Sequence, residues 1–194
     1  MFVTGILLAA GSSRRLGQPK QLLPLRGATL LDAALATARA CRFDQLLLPL
    51  GGSADAVRDK VDTSGAEQFD VERHGDGCGA SVTAAMGRVD PRADGVVLLL
   101  GDQPGVRPED VAGLLGAVAG RPAGLCRYRD GPGHPLWFGR ELFGDLAALH
   151  GDKAVWRLLD SGRFPVVEHP VDLPVPRDVD TWDDYRALVA EVGR

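Results

Sequence analysis

Residues Leu7 to Leu25 read LLAAGSSRRLGQPKQLLPL, and the fold turns on how this stretch is parsed. An apolar run from Phe2 to Ala9 stops at Gly11. A short polar loop follows, carrying Gly11, Ser12, Ser13, Arg14, Arg15, Gly17 and Lys20. Leu22-Leu23-Pro24-Leu25 stands behind it, and then a helical pattern begins. A buried strand that opens into a glycine-rich basic loop is how α/β proteins build phosphate sites. Glycine lets the backbone approach an oxyanion, and free N–H groups point at it. Arginine and lysine add charge for the phosphates. The loop holds neither Gly-x-x-x-x-Gly-Lys-Ser/Thr nor Gly-x-Gly-x-x-Gly, so it is neither a P-loop nor a dinucleotide fingerprint.

Working outward, the chain alternates strands and helices. Phe2 to Ala9 is the first, central strand, and Thr29 to Ala40 is a helix with Leu31, Leu35 and Ala38 on one face. Gln45 to Leu50 is a second buried strand, Ala54 to Val61 a short helix and Gln68 to Arg73 a third strand. A second glycine-rich loop, His74-Gly75-Asp76-Gly77-Cys78-Gly79, leads to a helix from about Ser81 to Gly87. Gly95 to Leu100 is the strongest strand signal, ending at Gly101-Asp102-Gln103-Pro104. Pro108 opens a helix with Glu109 and Asp110 in its first turn, both favoured at a helix N-terminus. Its core face is Val111, Leu114, Leu115 and Val118. Ala123 to Tyr128 is a strand, and Gly131 to Pro135 a loop. Arg140 to Leu149 and Lys153 to Asp160 are helices, and Phe164 to Glu168 a strand. The last helix opens at Thr181, with Asp184 three residues on as a capping box, and an apolar stripe of Tyr185, Leu188, Val189 and Val192. The pattern predicts an α/β fold, a mostly parallel sheet with helices on both faces, in one domain over residues 1–194. Ligands of such sheets bind beyond the carboxyl ends of the strands, so the first loop, the Gly-Asp-Gln-Pro turn and the Gly133-His134-Pro135 loop should converge on one cleft.

The formal net charge of -4 gives no reason to expect nucleic acid or an anionic membrane as partner. The three cysteines, Cys41, Cys78 and Cys126, are widely spaced and form no Cys-x-x-Cys, which argues against a disulfide framework or zinc site. With no basic segment before the first apolar run and no run of transmembrane length, a cytoplasmic protein is expected.

Two acidic positions bear on chemistry. Asp102 ends a wholly apolar strand and is either a turn residue or a hard oxygen ligand suited to magnesium on nucleotide phosphates. Asp178-Val179-Asp180-Thr181 precedes a helix and supplies either caps or a second metal-binding group.

From Leu8 to Leu22 the chain reads Leu-Ala-Ala-Gly-x-x-x-Arg-Leu-Gly-x-Pro-Lys-x-Leu. This resembles the signature loop of the MobA-like NTP transferases, which attach a nucleotide to the molybdenum cofactor. The resemblance continues through Gly-Asp-Gln-Pro, Gly133-His134-Pro135, Gly151-Asp152-Lys153 and Asp178 to Asp183. It implies a Rossmann-like nucleotidyltransferase fold and a magnesium-dependent enzyme. By the family pattern Arg15 and Lys20 face the triphosphate and, with Asp102, are catalytic, while Arg14 is solvated. Asp102 and Asp180 hold the metal. Leu8, Ala9, Ala10 and Gly11 of the first loop, with Gly79 and Ser81 of the second, bind the nucleotide together with Arg15, Lys20 and Asp102. Leu-Ala-Ala-Gly is similar to the CTP-using branch, so Ala10 favours CTP. His134, Asp152, Lys153 and Trp156 fall where the family binds its acceptor, a molybdopterin. Ala154 and Trp156 depart there from the usual Gly and Arg, and Trp156 either stacks on a ring or packs in the core. The expected reaction is CMP transfer from CTP to molybdopterin with release of pyrophosphate, the product passing to a molybdoenzyme or an insertion chaperone. The alternatives are a transferase for a sugar or alcohol phosphate, since fold does not choose substrate, and a non-catalytic carrier of the cofactor.

Overall fold

The computed structural model describes residues 1–192, the side chain of Val192 aside, so the expected place of Val192 in the apolar stripe lies outside the described residues. In chain order the elements are β1 (Val3–Leu8), β2 (Pro24–Leu25), β3 (Ala28–Thr29), α1 (Leu30–Ala40), β4 (Gln45–Leu50), α2 (Ala54–Lys60) and β5 (Glu67–Asp70). Then follow α3 (Cys78–Met86), β6 (Gly95–Leu100), α4 (Pro108–Ala117), β7 (Ala123–Tyr128) and β8 (Gly131–Gly139). The last are α5 (Phe143–Ala147), α6 (Ala154–Leu159), β9 (Val166–Pro170) and α7 (Trp182–Val192). Seven strands form one sheet in the order β5-β4-β1-β6-β8-β7-β9. Every pairing is parallel except the two made by β8, which runs antiparallel to β6 and β7.

Period-2 alternation sends neighbouring side chains to opposite faces of the sheet. Leu7, Leu48, Val97 and Leu99 pack with α1, α2 and α4 on one face. Ile6, Leu47, Val96 and Leu98 pack with α3, α5 and α6 on the other. Strands buried on both faces read as unbroken apolar runs, as β4 and β6 do. A third cluster joins Leu16 of the first loop, Leu23, Leu25, Leu30, Val179 and Leu188. Through it α7 closes over the first loop and ties the end of the chain to its beginning.

Local chemistry sets the helix starts. Thr29 and Asp32 form a capping box at α1, and Thr181 and Asp184 form the expected one at α7, with Asp184 N–H donating to Thr181 Oγ1 at 3.2 Å and Thr181 N–H to Asp184 Oδ2 at 2.8 Å. Among the described residues no helix is long and apolar enough to cross a membrane.

Several expectations are corrected. Residues 131–135 are not a loop but the first half of β8. Gly-Pro-Gly-His-Pro breaks the strand pattern locally, yet Leu136, Trp137 and Phe138 pair with β6 on one side and β7 on the other. A register shift at Leu125/Cys126 absorbs the irregular residues. The helix expected over 140–149 is a 3-10 turn, Arg140–Leu142, followed by the short α5. The helix α3 begins at Cys78, three residues before Ser81, because Gly77 adopts φ 91° and turns the chain directly into it. The small β2–β3 hairpin gave no sequence signal. Its turn residues Arg26 and Gly27 both have positive φ, 52° and 81°.

Candidate active site

Strands β1 and β6 are in-register neighbours, Leu8 facing Leu100. The loops that leave their carboxyl ends are therefore adjacent from the first residue, and Gly101 N–H donates to Leu8 O at 2.9 Å. Between them, the second glycine loop and the Asp180 segment lies a cleft of about 430 Å³.

The first loop is held from below. Gln21, buried, donates its amide to Ala9 O at 2.7 Å and Gly11 O at 3.1 Å, bracketing Ala10. Gly51, just past β4, passes against Ala10 so closely that a Cβ there would lie 2.2 Å from Ala10 O. Lys20 N–H donates to Ser13 Oγ at 3.0 Å, which closes the loop at its far end.

The charged residues meet at the mouth of β6. Lys20 Nζ donates to Asp102 Oδ2 and, at 2.9 Å, to Asp180 Oδ1. Arg15 donates to Asp180 Oδ2 at 2.7 Å. Burial alone would lower the Lys20 pKa, but the two carboxylates outweigh it and hold the ammonium above its usual range. Desolvation acts to raise the Asp180 pKa, and the bonds from Lys20 and Arg15 more than reverse it. The Asp102 turn is fastened to the chain end: Val179 N–H donates to Asp102 O at 3.2 Å. Gln103, buried, donates to Pro176 O at 2.7 Å and Asp178 Oδ1 at 2.8 Å. Asp178 completes an acidic group with Asp102 and Asp180. Its pKa is pushed up to about 6, first by loss of water and then by those two like charges.

Leu8, Ala9, Ala10, Gly11, Arg15, Lys20, Ser81, Asp102 and Asp180 all line the cleft, as expected of one site. Gly79 does not. Its N–H donates to Gly151 O at 3.2 Å, packing the second glycine loop on residues 150–152. Asp152 lines the cleft beside Gly77 and Cys78, whereas His134, Lys153 and Trp156 stand outside it. His134 is buried in β8, and burial lowers its pKa to about 4. It meets Trp156 edge-on, ring centroids 5.8 Å apart, and Trp156 also packs against the apolar cluster around α6. Arg14 is exposed as expected, yet it borders the cleft. The sequence gives no role to Gln21 or Gln103, and none to Asp178 by itself. A lone glutamine inside a motif carries no pattern, and Asp178 was seen only as part of an acidic run.

The donor set suits a hard divalent cation. Two carboxylates already converge on a cation, the Lys20 ammonium, and both are oxygen donors of the type magnesium and manganese prefer. Among the described residues no group of three or more His, Cys, Asp or Glu is arranged to hold a metal. One or two carboxylates plus substrate phosphates is the usual way a magnesium ion is bound in phosphoryl-transfer sites.

The chain is similar to proteins of known sequence and structure. The chain is 30% identical over 197 residues to the purine catabolism protein PucB of Bacillus subtilis (strain 168), covering 95% of this chain and 94% of that one. A crystal structure of a Mycobacterium tuberculosis Rv0371c homologue from Mycobacterium sp. strain JC1 superposes with a TM-score of 0.93 at 54% identity, covering 99% of this chain and 97% of the other. Rv0371c of Mycobacterium tuberculosis H37Rv in complex with manganese superposes with a TM-score of 0.89 at 51% identity, covering 98% and 99%. Residues 5–168 match the MobA-like NTP transferase domain. The chain belongs to the MobA-like NTP transferase family and is a nucleotidyltransferase of that family.

Proposed function

We propose that the protein transfers CMP from CTP to the phosphate of a molybdopterin-type acceptor, with magnesium, releasing pyrophosphate. The observation that carries this reading is the Lys20 ammonium clasped by Asp102 and Asp180 beside the first loop. That arrangement joins cation-binding oxygens and a triphosphate-binding charge in one cleft.

In the proposed reaction an oxygen of the acceptor phosphate attacks the α-phosphorus of CTP. The bond from that phosphorus to the β-phosphate oxygen breaks, and pyrophosphate leaves. A phosphate monoester is already ionised near neutral pH, so no general base is needed. Asp102 and Asp180 are the residues that would hold magnesium, which supplies charge neutralisation across the phosphate oxygens. Lys20 and Arg15 stabilise the negative charge that grows on the triphosphate, positioning and electrostatics being the main catalytic terms in such transfers. The first loop and Ser81 form the nucleotide side of the cleft, and Ala10 favours cytosine through the family pattern. On the acceptor side Asp152 borders the cleft. His134, buried and neutral near pH 7, packs edge-on against Trp156 outside the cleft and serves as support rather than as an acid or base.

Thermal unfolding with CTP, GTP, ATP or UTP, each with and without magnesium, tests the nucleotide assignment. A ligand that binds only the native state raises its apparent stability. The expected result is magnesium-dependent stabilisation by CTP above the others. Equal or stronger stabilisation by GTP removes the cytidylyl assignment, and no response to any nucleotide favours the carrier reading.

A further inference from the structure

The geometry points to a restriction on how the cation enters: the cleft takes a divalent ion together with a triphosphate and resists the free ion, because Lys20 occupies the place of a cation between Asp102 and Asp180. This deepens the reading of those aspartates as metal ligands and rests on it.

Lys20 and Asp102 are only 14% and 16% exposed at their side chains, so water screens their ion pair weakly. Asp180 is more open, at 43%, and its second partner Arg15 is 68% exposed. The tight contact is therefore that of Lys20, and Arg15 is the loose arm. Together the two cations offset the two carboxylates. A bare divalent ion arriving here finds Asp102 and Asp180 already paired, and the third carboxylate of the group, Asp178, already accepting from the Gln103 amide. It must also drive the ammonium from its bonds to both aspartates, with no acceptor to receive it. A triphosphate changes both conditions. It brings about four negative charges near neutral pH and oxygens that accept the ammonium. Only the Lys20 side chain has to move, since its backbone N–H stays tied to Ser13 Oγ at 3.0 Å. The ammonium leaves the carboxylates for the phosphates as the ion takes its place. Cation and triphosphate then bind with positive coupling, and that coupling is reciprocal.

The test is manganese alone, without nucleotide, titrated against the wild type, Lys20→Met and Lys20→Gln, with free ion read by electron paramagnetic resonance. Thermal unfolding establishes that each variant is folded. The same titration on Lys20→Met carrying Asp102→Asn identifies where the ion sits. Removing the resident charge is expected to tighten manganese binding about tenfold or more in both lysine variants, from the loss of a close like charge. The gain is expected to vanish when Asp102→Asn is added. Lysine variants that bind manganese no more tightly than a wild type whose binding needs Asp102 overturn the restriction and leave the metal-ligand reading standing. Tightening that survives Asp102→Asn overturns the metal-ligand reading, and the restriction with it.

Discussion

Gly51→Ala is the sharpest way to ask whether the first loop is seated as the structure has it. The added Cβ would stand 2.2 Å from Ala10 O, 2.9 Å from its carbonyl carbon and 3.1 Å from its Cα. Comfortable contacts between such atoms begin at about 3.5 Å, so the overlap is roughly 1 Å. All three atoms are backbone, and no rotamer relieves them. Ala10 cannot yield alone. Ala9 N–H is bonded to Pro49 O at 3.3 Å, and the Gln21 amide holds Ala9 O and Gly11 O on either side. The loop must therefore lift as a unit. Overpacking of this kind costs about 1–3 kcal/mol, which a domain with about 5–15 kcal/mol of stability survives. A displacement of about 1 Å in a positioning loop costs on the order of a hundredfold in rate. Urea unfolding and the nucleotide-induced shift in Tm, measured side by side, separate the two effects. The expected variant is folded, modestly less stable and nearly unresponsive to nucleotide. Gly52→Ala is the control, since its Cβ would meet only the edge of the His74 ring, 3.1 Å away at Nε2. A Gly51→Ala protein with wild-type stability and nucleotide response would refute the reasoning.

Gln103→Met keeps the volume and removes both donors to Pro176 O and Asp178 Oδ1. It should cost about 1–3 kcal/mol in a urea melt and weaken manganese binding several-fold, because the chain segment that carries Asp180 loses its tie to the Asp102 turn; unchanged affinity would deny Gln103 that role. Burial lowers the His134 pKa to about 4 from 6.5, so the unfolded chain takes up its proton first. His134 should withdraw stability as pH falls from about 6.5 through 4, by about 3 kcal/mol once below both values, while Asp178, raised to about 6, acts in the opposite sense over much of the same range. Above that window His134 contributes no pH dependence, and the stability difference between His134→Asn and the wild type should change with pH within it; parallel urea midpoints for the two proteins would contradict this. Gly77→Ala strains a φ of 91° and drives its Cβ to 2.3 Å from Asp152 Oδ1. Isothermal titration should show the nucleotide affinity reduced at least tenfold, since the start of α3 and the Asp152 loop cannot both keep their places, whereas retained affinity would separate Gly77 from the site.

The parts read from sequence were those written locally. Strands β4, β6 and β7 come out residue for residue, β4 and β6 because a buried strand leaves an apolar run between polar or glycine breaks, and β7 as a short, mostly buried run broken only by the exposed Arg127. The β8 strand did not, because its ladder is made in spite of Pro132 and Pro135 and depends on partners β6 and β7 already in place. Arg15, Lys20, Asp102 and Asp180 were visible through their motif, and all four reach one cleft. Their pairing was not visible. Lys20 meets Asp102 across 82 residues and Asp180 across 160, separations that no local pattern spans. The sheet supplies the missing link: β1 and β6 are parallel neighbours in register, so their loops emerge side by side. Gln21 and Gln103 escaped notice for a different reason. Each is one polar residue whose importance lies in the backbone carbonyls it fastens, and those carbonyls belong to no motif.

The central claim is nucleotidyl transfer at the Lys20–Asp102–Asp180 cleft, and the most direct measurement follows the α-phosphate itself. The protein is incubated with magnesium, molybdopterin and CTP labelled at the α-phosphorus; labelled acceptor is counted, and the unlabelled pyrophosphate released is measured in parallel by a coupled phosphate assay. The expected result is equal amounts of both, abolished by Asp102→Asn in a protein that remains folded. Absence of labelled acceptor with CTP, GTP, ATP or UTP, or transfer that persists undiminished in Asp102→Asn, would contradict the account.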